Sequence, residues 1–325
     1  MDIKEIYAYL AAPMEEVTRL MKERLGSDIA LLDAVNTSLL EQGGKRLRPI
    51  LALLVAGAFG PIGEDAVRVA AASELLHNAT LLHDDVVDGS DERRGKPTVR
   101  SILNGPASVL IGDFWLVQGV QSILSLSRYS ERIVRIFAKT LSDLAEGEML
   151  QLQKTERCDT LEEDYFRIIY SKTASLFEAA AVSAAVSAGA SEADSASAGA
   201  YARALGMAFQ IRDDMLDYAG DESLGKPVGI DILEQKITMP LLGALSAVSA
   251  EEGEEVREMI RRIPGEPALA GDVRAFVRDH GGMEAAAKVL SRFTEDAILS
   301  LSSLPESREK SYLALLARYV GERNL

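Results

Sequence analysis

The sequence predicts an all-α chain. Apolar residues recur at helical spacing over most of its length, and alternating strand patterns bounded by Asn-Gly or Asp-Gly turns are missing. Most of the ten prolines fall between periodic segments. Ile6, Leu10, Met14, Val17 and Met21 mark the first helical face. Ile50 to Phe59 is the longest strongly apolar run, about half of the ~20 residues a membrane span requires, and reads as a buried helix. Ile133, Ile136, Phe137, Leu141 and Leu144 repeat the helical spacing further on. Ala179 to Ala200 is nearly all Ala, Ser, Gly and Val; it lacks proline and has few glycines, so a helix is expected there rather than a linker. Pro49, Pro61, Pro97, Pro106 and Pro227 punctuate the pattern. Asp88 to Pro97 and Gly220 to Gly229 mix glycine, proline and charge and read as active loops. No fixed repeat, charged tail or boundary interrupts the chain, so residues 1–325 are expected to form a single domain.

The composition narrows the function. With 325 residues, 47% of them hydrophobic, the chain can bury a sizeable core. A net charge of −15 opposes nucleic acid and anionic membrane, so positive contacts to any anionic substrate must be local. Cys158 is the lone cysteine, which rules out an intrachain disulfide and points to a reducing compartment. Met1 to Glu5 is mixed in charge and is not followed by an apolar signal-type stretch; a cytoplasmic location is expected.

The chemistry centres on two acidic motifs. Asp84, Asp85 and Asp88 form the first, and Asp213, Asp214 and Asp217 repeat its spacing later. Residues four apart share a helix face, so Asp84 projects with Asp88 and Asp213 with Asp217. Such like charges repel by several tenths of a kcal/mol unless a cation intervenes. Hard carboxylate oxygens suit Mg²⁺, whose shell substrate phosphates commonly complete. Both motifs have apolar flanks, Leu81 and Leu82 in one case and Phe209, Ile211 and Tyr218 in the other, which places them at a core margin.

From about Gly43 to Pro240 the chain resembles the trans-prenyl diphosphate synthases. The likeness is carried by Gly43-Gly44-Lys45-Arg46-Leu47-Arg48-Pro49, both aspartate motifs, Arg93-Arg94-Gly95, Lys172-Thr173, Phe209-Gln210, and Gly225-Lys226 through Asp231 to Lys236. The resemblance implies the isoprenoid synthase fold, a bundle of about ten or more helices around a deep central cavity. It implies a prenyltransferase that condenses isopentenyl diphosphate with an allylic prenyl diphosphate, using three Mg²⁺ ions held by the six aspartates. A homodimer is also implied, with at most transient membrane contact through its product.

Two anion sites are then required. Lys45 and Arg48 are three apart, expected on one helical face after a glycine entry, and with His77 and Arg94 they resemble the isopentenyl diphosphate site. Arg93, Lys172, Lys226 and Lys236 resemble the grip on the allylic diphosphate. Thr173 and Gln210 are the candidate dipoles facing the carbocation, and His83 reads as structural. Where short-chain members carry a further aspartate this chain has Gln151; the role of Glu148 stays open.

Ala79 and Thr80, five and four residues before Asp84, lie roughly 6–7.5 Å lower along the helix and form the first floor of the product channel, with Leu76 next. Both are small where short-chain members carry aromatic rings. A long-chain product, such as a quinone side-chain precursor, is therefore expected, and Ala79→Tyr should shorten it. Four other readings compete: a short-chain synthase, a terpene cyclase, a silent regulatory subunit, and a purely structural helical bundle, which leaves the clustered carboxylates unexplained. The second acidic motif with Lys45 and Arg48 opposes the cyclase, and intact motifs oppose the silent subunit.

Overall fold

The structure, a computed structural model, describes residues 2–93, 95–219 and 229–322. The expected all-α architecture is observed. Helices α1 (Ile3–Tyr9) and α2 (Ala11–Leu25) follow one apolar stripe in which Ile6, Leu10, Val17 and Met21 are buried. They are succeeded by α3 (Ala30–Glu41), α4 (Leu47–Phe59), α5 (Glu64–Val87), α6 (Val99–Ile102), α7 (Gly105–Leu124) and α8 (Ser130–Arg157). Beyond them lie α9 (Glu162–Ile169), a π-helical turn (Tyr170–Ala174), α10 (Ser175–Ser187) and α11 (Glu192–Ala219). The chain closes with α12 (Ile230–Leu233), α13 (Met239–Leu245), α14 (Ala250–Arg262), α15 (Leu269–Asp279), α16 (Gly282–Ser300) and α17 (Arg308–Glu322). The Ala-rich run is helical, broken only by a turn in which Gly189 takes a positive φ of 80°.

One short hairpin departs from the purely helical reading. Strands β1 (Glu92–Arg93) and β2 (Lys96–Pro97) pair antiparallel, with Arg93 opposite Lys96. Gly95, at φ 75°, makes the reversal possible, and two-residue strands are too short to leave a period in the sequence.

Backbone contacts divide the chain into two compact units. The first comprises residues 1–138, 179–199 and 303–313; the second comprises 139–178, 200–302 and 314–325. Their divisions fall inside α8, α10, α11 and α17 and in the segment after α16.

In the first unit α5 packs along α7. A Cβ at Gly112 would lie 2.4 Å from His83 Nε2, and one at Gly119 would lie 2.9 Å from Leu76 Cγ, so only glycine lets these helices approach so closely. Asn36 ties the base of this layer: its side chain donates to the Leu25 carbonyl at 2.7 Å and accepts from the buried Trp115 indole at 2.8 Å. Helix α7 is also the one helix among the described residues long and apolar enough to cross a membrane by length and composition, and 39% of its most apolar stretch is buried.

In the second unit α13 packs on α16. A Cβ at Gly282 would meet the Pro240 carbonyl at 2.2 Å, and one at Gly243 would meet the Ala285 Cβ at 2.6 Å. Gln235 bonds the Ile260 carbonyl at 2.9 Å, and Arg257 bonds the carbonyls of Cys158 and Thr160, tying α14 to the segments before α9 and α13.

Candidate active site

In the first unit, α5 supplies the first acidic motif at its C-terminal end. Asp84 lies half-buried on the last turn, and Asp88 is the exposed C-cap whose amide bonds the Asp84 carbonyl at 2.8 Å, so the two remain stacked. Asp85 faces inward. It is only 4% exposed, and its carboxylate accepts from Arg93 Nε at 2.7 Å. This charge-assisted bond anchors the hairpin loop to α5, and the Ser90 amide, bonded to the Asp85 carbonyl at 3.0 Å, holds the loop's start. A cavity beside the pair is lined by Gly43, Asn78, Leu81, Asp85, Arg93 and Lys96.

Lys45 and Arg48 do not share a helical face as their spacing suggested. Arg46 takes a left-handed φ of 47° and α4 starts only at Leu47, so Lys45 precedes the helix and Arg48 lies within it. Arg46 is held there by bonds to Thr18 Oγ1 and the Leu40 carbonyl, while the Lys45 carbonyl accepts from Tyr7. Lys45 is exposed and Arg48 half-buried. His77 is half-buried on α5, and His83 lies 3.2 Å from Asp113 of α7. Leu76 and Ala79 are fully buried, Leu76 against Gly119 of α7, whereas Thr80 is half-buried and bonds the His77 carbonyl. Arg94 lies outside the described residues.

In the second unit, the π-helical turn presents Lys172 and Thr173. It is seated between two glycines: a Cβ at Gly147 of α8 would meet Ser171 Cβ at 2.5 Å, and one at Gly206 of α11 would meet Ala174 Cα at 2.5 Å. A π turn holds an extra residue and widens the helix, and bare glycine backbones on both sides accommodate that width. Lys172 Nζ lies 2.6 Å from Glu148, which gives the undecided glutamate a partner.

Thr173 and Gln210 meet directly. The Thr173 hydroxyl donates to Gln210 Oε1 at 2.7 Å, Gln210 Nε2 donates to Asp214 Oδ1 at 2.8 Å, and Tyr165 donates to Asp214 Oδ2 at 2.6 Å. These groups line one cavity with Gln151, Lys172, Asp231 and Lys236. Asp217 accepts from the backbone amides of Ile230 and Asp231, each at 3.1 Å, at the start of α12. Asp213 is half-buried, and Lys236 pairs with Glu234 at 2.5 Å. Lys226 and most of the loop from Gly220 to Gly229 lie outside the described residues.

Three carboxyls are crowded here, and their acidities show it. Burial, reinforced by Asp213 and Asp217, pushes Asp214 up to about 6 despite its bonds from Tyr165 and Gln210. Burial also raises Asp217, and it raises Asp231 well above the usual carboxylate range with help from Asp214 and Asp217. The pocket is therefore short of positive charge, and a cation entering it would relieve the repulsion. Among the described residues no three His, Cys, Asp or Glu side chains converge tightly enough to hold a metal unaided. The oxygen-only donor set still fits a hard divalent ion whose shell a diphosphate completes.

Sequence reasoning missed Tyr165 and placed no role on Asp231. Tyr165 stands in no motif, and Asp231 appeared only within a longer matched segment.

A cavity combining a paired lysine, a Thr–Gln–Asp hydrogen-bond chain and crowded carboxyls, in an all-α chain, meets its match among known proteins. The family profile described as polyprenyl synthetase covers residues 29–276. The chain belongs to that family. Octaprenyl diphosphate synthase of Escherichia coli (strain K12) is 38% identical over 325 residues, covering both chains completely. The crystal structure of a decaprenyl diphosphate synthase from Rhodobacter capsulatus is similar at a TM-score of 0.92, with 37% identity over 99% of each chain. Polyprenyl synthase from Caulobacter crescentus CB15, crystallised with calcium and isoprenyl diphosphate, gives 0.90, with 35% identity over 100% of this chain and 98% of that one. The protein is thus an enzyme, a trans-polyprenyl diphosphate synthase, as the motifs led one to expect.

Proposed function

We propose that this synthase condenses isopentenyl diphosphate with an allylic diphosphate to give a long-chain all-trans polyprenyl diphosphate, in a Mg²⁺-dependent reaction serving quinone side chains. The observation that carries the mechanism is the Thr173–Gln210–Asp214 chain beside Lys172. In the reaction the allylic carbon–oxygen bond breaks, the isopentenyl double bond supplies the electron pair for the new carbon–carbon bond, and a proton leaves to the released diphosphate. No protein nucleophile is needed, so the residues act by placement and electrostatics.

Lys172, Lys226 and Lys236 with Arg93 hold the allylic diphosphate; Lys45, Arg48, His77 and Arg94 hold the isopentenyl one. Thr173 and Gln210 turn fixed dipoles toward the developing cation. Asp84, Asp85, Asp88, Asp213, Asp214 and Asp217 would provide the acidic surroundings for three Mg²⁺ ions, which when bound neutralise the departing diphosphate. The Lys172–Glu148 pair suggests that Glu148 holds the lysine in place before substrate arrives. The calcium and isoprenyl diphosphate in the Caulobacter crescentus complex support a divalent ion and a diphosphate ligand.

Residues 1–325 act as one catalytic domain, consistent with four of the five divisions between the compact units falling inside helices. We read the enzyme as a cytoplasmic homodimer. The support is an exposed apolar stripe on α7, where Leu110 is 69%, Val117 48% and Leu124 59% exposed.

The test is incubation with isopentenyl and farnesyl diphosphates, with and without Mg²⁺, and mass analysis of the product. Extension well beyond farnesyl length, only with the metal, is expected. Product stopping after one or two additions would favour the short-chain reading, and no pyrophosphate release from any allylic donor would remove the proposal.

A further inference from the structure

Tyr165 stands outside every recognised motif, yet its phenol closes the hydrogen-bond chain that ends at Thr173. We infer that Tyr165 is a positioning residue whose O–H holds the Asp214 carboxylate in place to accept from Gln210, so that Thr173 turns oxygen lone pairs toward the allylic cation. This rests on the function proposed above.

The direction of the chain follows from what each group can do. A carboxylate only accepts, so the Tyr165 phenol donates its proton to Asp214 Oδ2, 2.6 Å away. Asp214 then accepts at both oxygens, from Tyr165 on one and from Gln210 Nε2 on the other, at 2.8 Å. An amide has one donor end and one acceptor end. With its NH₂ committed to Asp214, Gln210 must present Oε1 to Thr173, and the 2.7 Å contact between them matches that orientation. The single hydroxyl proton of Thr173 is consumed, and its lone pairs remain.

Had Gln210 been reversed, the hydroxyl oxygen would accept from it and the proton would be free to face the substrate. A proton at that place repels a carbocation; a lone pair attracts it. The polarity of one hydroxyl is therefore set by the Asp214 carboxylate, which Tyr165 holds in place. Tyr165 is suited to the task because it is 2% exposed and its ring lies against Phe166, with centroids 5.6 Å apart.

The inference is tested by steady-state kinetics on the wild type, Tyr165→Phe, Thr173→Val and the double variant, each checked by its thermal midpoint. Tyr165→Phe keeps the ring and deletes only the hydroxyl. It is expected to lower kcat about tenfold, the worth of one hydrogen bond, while KM for both substrates stays within about twofold. In the Thr173→Val background the same change is expected to cost less than about twofold, because the hydroxyl it orients is gone. Equal losses in both backgrounds, or a rise in KM with kcat unchanged, would overturn the inference. Gln210→Leu cuts the chain at its centre and gives a second route: wild-type kcat in that variant overturns the inference even if the phenylalanine variant does not fold. A wild-type protein that forms no product would instead count against the proposed function.

Discussion

Thr80 is the floor-position residue that the structure leaves partly open. Its neighbours Leu76 and Ala79 are fully buried; Leu76 packs against Gly119 of α7, and the Ala79 carbonyl faces Gly112. An aromatic ring at position 79 has to displace the packing that buries it, with an overpacking cost of about 1–3 kcal/mol. At position 80 the side chain is half-buried and meets no such barrier. Thr80→Phe is therefore expected to shorten the product while allylic ionisation persists, read by chromatography of the prenyl alcohols. An unchanged product distribution would take Thr80 out of the channel floor. At this scale the sequence was most legible where charge was clustered. Two Asp-Asp-x-x-Asp patterns name their own residues, because carboxylates at that spacing have no cheap structural explanation. Tyr165 was illegible for the opposite reason: a buried tyrosine in a helical stripe looks like ordinary core, and only its partner Asp214, 49 positions away, reveals its use.

Helix periods were read correctly where they were long, and local backbone geometry was not. The Ala-rich stretch was recognisable as helix because alanine costs nothing in a helix interior. The Lys45–Arg48 pair was misplaced because a single left-handed residue, Arg46, shifts the start of α4, and no propensity announces a non-glycine residue there. The π turn at Tyr170–Ala174 likewise leaves no periodic trace over five residues.

One element junction bears on acid stability. Asp65, in the first turn of α5, accepts from the Ser127 amide and hydroxyl beyond α7 and from Arg68. Burial works against its ionised form, but these bonds outweigh it and hold the carboxyl below its usual value. A lowered folded-state value stabilises the fold above the ordinary aspartate range, and that stabilisation disappears as pH falls through the lowered value. Asp65→Asn is expected to lower the thermal midpoint at pH 7 and to lower it by less at a pH below the ordinary aspartate range. An equal deficit at both pH values would mean that the link between α5 and Ser127 does not depend on the charge.

For the whole molecule, a net charge of −15 opposes close approach of two copies unless an apolar face draws them together. In the proposed homodimer the α7 stripe of Leu110, Val117 and Leu124 would be that face. Leu110→Glu with Leu124→Glu is expected to halve the mass measured by light scattering, with the thermal midpoint of the separated chain lowered. A mass that remains that of two chains would place the interface elsewhere. The family, the helical class and the enzyme type could be read from the chain alone, since the motifs span most of it. The face that would join two copies could not, because an exposed apolar stripe and a buried one share the same spacing.

The extra residue in the π turn makes the reading frame of one helix a functional quantity. Each residue in a regular helix advances the side chains by about 100°. Deleting one position between Tyr170 and Ala174 would let α9 run smoothly into α10, but it would remove the wide turn that carries Lys172 and Thr173 and shift them relative to Glu148 and Gln210. The glycines at 147 and 206 leave the room that this width needs.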